Sequence, residues 1–173
     1  MLIDSHVHLD HRVFDADRDD VIARAGAAGV WQLVIPAVDR PSWPRIHALA
    51  ARTVGRCFPA YGLHPLFVAA DPEFDPAALA TWCDAHACVA IGEIGLDFHA
   101  TEPAAALQRR CFAAQLALAR ERDLPVIVHA RQSLEEVILT LRRYPGIRGV
   151  VHSFSGSEEQ ARQLWRLGFR LGI

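Results

Sequence analysis

Residues 1–11 read MLIDSHVHLDH. An apolar start, Met1–Ile3, runs straight into Asp4, His6, His8, Asp10 and His11. Residues two apart in a strand face the same side, so a strand over 2–8 projects His6 and His8 together. An open, doubly wound sheet would usually carry a G-x-G-x-x-G turn after this first strand, and the chain has H-x-H there instead.

Working outward, short apolar runs predict further strands at 30–38, 57–64, 88–97, 124–130 and 147–154, with a seventh beginning at 169–173. Helices are predicted near 15–28, 42–54, 76–87, 103–123, 132–144 and 157–167. Asp75-Pro76 supplies a cap and a first-turn proline for the third helix. Ser157, followed by Glu158 and Glu159, does the same for the sixth. Regular strand–helix alternation reads as βα units on a parallel sheet, in one domain spanning 1–173 with no linker or low-complexity segment.

A parallel sheet leaves a closed (β/α)8 barrel or an open sheet. The ligand-type residues His6, His8, His64, Glu93, His129 and His152 all fall near the C-terminal ends of their strands, where barrel active sites lie. In an open sheet of order 3-2-1-4-5-6, the first and sixth strands would stand three spacings apart, roughly 14 Å. Metal–nitrogen bonds of about 2.1 Å cannot gather ligands across that gap, whereas a barrel curls the strands round one mouth. The expectation is a (β/α)8 TIM barrel, ending here after six βα units and the start of strand seven.

Composition narrows the chemistry. Apolar residues make up 51% and charged residues 22%, as in a globular chain, and no apolar run is long enough to span a bilayer. With no signal-peptide pattern, the expected compartment is the cytoplasm. The four cysteines contain no C-x-x-C pair and read as core thiols. A net charge of −2 gives no overall basic footprint for nucleic acid. All 18 basic residues are arginine; without lysine, Schiff-base chemistry, a phosphate-loop lysine and a carbamylated-lysine metal bridge are excluded.

Glu93, inside the apolar run AIGEIGLD, is the strongest signal, because a buried carboxylate is costly unless paired or metal-bound. A buried Glu–Arg pair is the plainer reading. With lysine absent, Glu93 is the natural bridge between two metals, and the candidate catalytic residue. His129 ends PVIVHA and His152 ends GVVHSF, each behind β-branched residues where an inward polar group needs a partner. Four imidazoles and one carboxylate suit two divalent ions of the Mg, Mn, Zn or Ni kind.

Other residues are candidate substrate contacts with ordinary alternatives. His64, in GLHP, would either touch substrate or pack a turn. Arg131 would hold a phosphate oxygen or pair with Glu135 or Glu136. Asp97 would orient a ligand histidine. Ser153 and Ser155, before Gly156, would receive an anion or cap a helix. The RERD stretch (120–123) and the Arg142–Arg143 pair read as solvated helix faces.

These motifs together, DSHVHLD, GLHP, IGEIGLDF, LPVIVHAR and HSFSGSEEQARQLWRLGFRLGI, resemble the TatD-type metal-dependent hydrolases of the amidohydrolase superfamily. The resemblance implies a (β/α)8 barrel and divalent-metal-dependent deoxyribonuclease activity on phosphodiesters. It implies that His6, His8 and Glu93 hold one metal, and Glu93, His129 and His152 the other. Ser153 stands where that family commonly has cysteine, and His99 where an aromatic residue is frequent. The family pattern also continues past LGI to an aspartate ligand on strand eight, so a completing C-terminal segment is expected.

The leading expectation is therefore a metal-dependent phosphodiesterase acting on DNA ends or another phosphodiester, without a membrane partner. A small-molecule amide or lactone hydrolase on the same scaffold is one alternative. An inactive fragment or binding module lacking the strand-eight aspartate is another.

Overall fold

The computed structural model describes residues 1–172; Ile173, the last residue of the expected seventh strand, lies outside them. Seven strands form one sheet: β1 (Leu2–Asp4), β2 (Val30–Pro36), β3 (Cys57–Tyr61), β4 (Ala90–Asp97), β5 (Val126–Arg131), β6 (Gly149–Val151) and β7 (Phe169–Leu171). The helices between them are α1 (Arg18–Ala27), α2 (Ser42–Arg52), α3 (Pro76–Ala85), α4 (Ala105–Glu121), α5 (Leu134–Leu141) and α6 (Glu158–Arg166). Short 3-10 turns at Arg12–Phe14 and Pro65–Ala70 have no counterpart in the sequence pattern.

Each strand pairs in parallel with the next, in the order β1-β2-β3-β4-β5-β6-β7. That order excludes the doubly wound alternative, whose chain reverses direction across the sheet. It is the order of a barrel wall, here a half-barrel. In a flat sheet β1 and β6 would lie five spacings apart, about 24 Å. The rings of His6 and His152, just beyond those strands, instead stack with centroids 3.9 Å apart. The sheet is strongly curled.

Alternation along the strands builds two packed faces. Val34, Ala60, Ala90, Ile127 and Val150 share the inner side with His129 and His152 and form their own apolar cluster. The opposite side buries Ile35, Tyr61, Ile91, Val128 and Val151 beneath Trp43, Leu79, Phe112 and Leu116 of the helices. The predicted caps form: Asp75 accepts from the Ala77 N–H, and Ser157 and Gln160 complete a reciprocal capping box.

The strands are shorter than the sequence predicts. The first stops at Asp4 rather than residue 8, its ladder with β2 running over Leu2–Asp4. Its Leu2 and Ile3 are 62% and 59% exposed. The third strand ends at Tyr61, where the chain turns into the 3-10 segment carrying Pro65. The sixth ends at Val151, one residue before His152. Among the described residues no helix is long and apolar enough to cross a membrane.

Leu116, fully buried on α4, and Leu139, 47% exposed on α5, should separate sharply. Leu116→Ala should cost about 2–5 kcal/mol in urea unfolding, and Leu139→Ala less than about 0.5 kcal/mol. Equal losses would contradict the packing of α4 against the sheet.

Candidate metal centre

Glu93 reaches the site through an irregularity in β4. The register with β5 shifts between Gly92 and Ile94, so Glu93 is the extra residue of a bulge, a device that re-aims a side chain. Its N–H donates to the Ala37 carbonyl, across the mouth of β3. Close contact with β5 demands glycine nearby. At Gly95, with φ +141°, a Cβ would lie 2.0 Å from the His129 carbonyl oxygen. At Gly92 a Cβ would lie 2.7 Å from that of Ile127.

The Glu93 carboxylate is 2% exposed, and imidazoles surround it. Oε2 faces His6 Nε2 at 3.2 Å and His8 Nε2 at 3.4 Å. Oε1 faces His152 Nε2 at 2.6 Å, His129 Nδ1 at 3.1 Å and His64 Nε2 at 3.4 Å. Burial alone would raise the Glu93 pKa, but the His129, His152, His6 and His64 imidazoles that face it hold it well below the usual carboxylate range. Burial lowers the pKa of His6 and of His64. The Glu93 hydrogen bond raises that of His8. His6 and His8 meet even though they lie beyond β1, so the convergence comes from the loop, which the Val7 N–H ties to the Val34 carbonyl, and not from strand alternation.

Ring-nitrogen roles follow from the remaining partners. His129 Nε2 lies 2.9 Å from Asp97 Oδ2, which places its proton there and leaves Nδ1 bare toward the centre. Asp97 is thus an orienting carboxylate, not a mouth-lining contact. It is itself fixed: its Oδ1 accepts from the His99 N–H, and Gln108 bonds both its backbone N–H and its carbonyl. His64 Nδ1 accepts from the Leu66 N–H, so the neutral ring carries its proton on Nε2 and aims a donor at the centre. His64 lies close enough to Glu93 and His129 to count as a third ligand, but a protonated nitrogen cannot ligate.

These residues fit divalent cations. His6 Nε2 and His8 Nε2 face each other at 3.1 Å, as do His129 Nδ1 and His152 Nε2 at 3.2 Å. Bare nitrogens so close repel unless a proton or cation lies between them. His6 Nδ1 is buried without a partner. His6, Glu93 and His152 have donor atoms within 4.8 Å of one another.

The outer candidates divide. Ser153 is exposed, and its Oγ lies 3.2 Å from Nδ1 of the candidate ligand His152. Ser155 is exposed and distinct from the helix cap, which is Ser157. Arg131 is exposed and forms no ion pair among the described residues, because Glu136 binds Arg109 and Glu135 accepts from Gln160. It shares its strand side with His129. Sequence reasoning missed two buried glutamines of α4, Gln108 and Gln115. The second bonds the Leu63 N–H and carbonyl beside His64. Their seven-residue spacing, on the helix face that carries Phe112 and Leu116, was the available signal.

A curled parallel sheet with a carboxylate among histidines at its C-terminal rim defines the barrel class of metal-dependent hydrolases. Residues 3–173 match the family described as TatD related DNase, and the chain belongs to that family. It is 36% identical to the uncharacterized metal-dependent hydrolase YjjV of Escherichia coli K12, over 99% of this chain and 67% of that protein. It is 34% identical to the 3'-5' ssDNA/RNA exonuclease TatD of Cronobacter sakazakii, over 99% of this chain and 66% of that one. The crystal structure of YjjV, described as a TatD homolog, superposes with a TM-score of 0.86 at 34% identity, over 99% of this chain and 67% of the other. A TatD-family hydrolase from Entamoeba histolytica shares the fold, with a TM-score of 0.88 at 23% identity, over 99% of this chain and 64% of the other. The chain thus spans about two thirds of the length of these relatives.

In Asp97→Asn, the Oδ1 contacts to backbone N–H groups would turn the amide nitrogen toward His129 Nε2. The His129 proton would then move to Nδ1, the nitrogen that faces Glu93. Calorimetric titration with Mn or Zn should show affinity about 10–100-fold weaker, with the fold retained. Unchanged affinity would remove Asp97 from this role.

Proposed function

We propose that this chain carries the catalytic centre of a phosphodiester hydrolase acting on nucleic-acid ends, with Glu93 bridging two divalent ions. One observation carries the reading: the two Glu93 oxygens divide the histidines between them, Oε2 taking His6 and His8, and Oε1 taking His129 and His152. This division supports one ion held by His6, His8 and Glu93 and a second held by Glu93, His129 and His152. When bound, such ions supply an acidified water and positive charge for the attacking and leaving oxygens.

The chain's own side chains supply the rest. Glu93, kept ionised by its neighbours, offers one oxygen to each side of the centre. Asp97 holds His129 with Nδ1 turned inward. His64 presents Nε2–H where a phosphoryl oxygen would gather charge, a donor fixed in advance by the Leu66 N–H. Arg131, free of carboxylates at the end of β5, suits a phosphate oxygen in fork geometry. The nuclease names of relatives such as the Cronobacter enzyme favour a nucleic-acid substrate over an amide or lactone.

Glu93→Gln keeps the side-chain shape but removes the charge. Metal content by mass spectrometry should fall from two ions per chain, and hydrolysis of single-stranded DNA by the complete protein should fall by at least about 100-fold. Chelation should abolish activity and Mn should restore it. Wild-type activity in Glu93→Gln would overturn the scheme.

A further inference from the structure

The stretches around Arg120 and Arg143 read from sequence as plain solvated faces, but the fold brings them together. Between α4 and α5 lies a groove of about 380 Å³, floored by Leu96 and Phe112 and walled by Arg109, Arg120, Arg143 and Tyr144. Three guanidiniums face one carboxylate there, on a chain whose net charge is −2. Arg109 is satisfied, bound to Glu136 through both carboxylate oxygens. Arg120 and Arg143 form no ion pair with a carboxylate among the described residues. Arg120 lies over the Tyr144 ring at 5.5 Å, and Arg143 donates to the Thr140 hydroxyl at 3.3 Å.

The groove is joined to the metal centre by a chain of contacts. His129 bonds Asp97, Phe98 follows Asp97, and the Arg109 guanidinium lies 5.2 Å from the Phe98 ring. From Arg109, near the start of α4 at the rim, to Arg120 is eleven residues, about 16 Å of helix. The neutralised pair therefore sits at the rim end and the unpaired cations at the far end. A ligand matching this pattern carries negative charge well away from the reacting group. It also presents a flat face to Tyr144 and Arg120.

We propose that this groove binds the distal phosphates and bases of a single-stranded polynucleotide whose end lies at the metal centre. Arg120 and Arg143 take backbone phosphate, and Tyr144 with Arg120 forms a stacking platform, the pairing of charge and aromatic surface that single-strand binders use. The inference rests on the phosphodiesterase reading and adds a second binding region to it.

The test is fluorescence anisotropy of labelled oligothymidylate in EDTA, where nothing is hydrolysed, for a long oligomer and for a dinucleotide. Wild type should bind the long oligomer more tightly. The double variant Arg120→Ala/Arg143→Ala should lose that advantage, by about tenfold, while leaving the dinucleotide unchanged. The salt slope for the long oligomer should fall by roughly 0.7 for each phosphate that is no longer neutralised. Arg120→Lys/Arg143→Lys should keep most of the affinity, which separates charge loss from damage to the helix packing. A double alanine variant that still favours the long oligomer overturns the groove assignment alone. Wild type binding both lengths equally does the same. Wild type binding neither also overturns the groove assignment, because the groove needs no ion. Competition by free thymidine monophosphate as effective as that by the oligomer would reassign the groove to a mononucleotide and overturn the strand path.

Discussion

A carboxylate taken out of water must find charge or donors within reach, and Glu93 finds them in five imidazoles. Much else in the fold serves that requirement. Its partners come from the ends of β1, β3, β5 and β6, which a flat sheet would scatter over more than about 20 Å. The curl of the sheet, the bulge at Glu93 and the side-chain-free backbone at Gly95 each bring a donor closer to one point. The centre depends on that curvature, which brings the ends of distant strands within reach of one carboxylate.

Strand number, order and polarity were legible because parallel strands buried on both faces read as continuous apolar runs between helical segments. Glu93, His129 and His152 stood out for the same reason, as polar interruptions in such runs. Strand ends were harder. The first strand does not extend to residue 8, and local pattern cannot reveal that the chain leaves the β2 ladder after Asp4. His64 was ambiguous because its role depends on a backbone N–H two residues later, which fixes its tautomer, a feature set by turn geometry. Sequence proximity offers Arg131 either Glu135 or Glu136 as a partner. Those acids are engaged elsewhere by residues remote in sequence, Gln160 and Arg109.

Charge shows the difference between an average and an arrangement. A chain of net −2 offers no general attraction for a polyanion. Yet many arginines are neutralised locally, Arg52 by Asp19, Arg122 by Asp84, Arg148 by Asp123, Arg162 by Glu158. Among those without a carboxylate partner in the described residues, Arg131 lies beside the candidate metal ligands, and Arg120 and Arg143 lie between two helices.

The two amide clamps of α4 carry a consequence for how this protein can vary. Gln108 grips the backbone at Asp97 and Gln115 grips it at Leu63, two turns apart on one rigid rod. Inserting or deleting a single residue between them would swing one clamp about 100° away from its loop. An exposed position such as Ala117 can drift in sequence, but the count of residues from 108 to 115 cannot. The helix works as a ruler, and its length is part of the catalytic geometry.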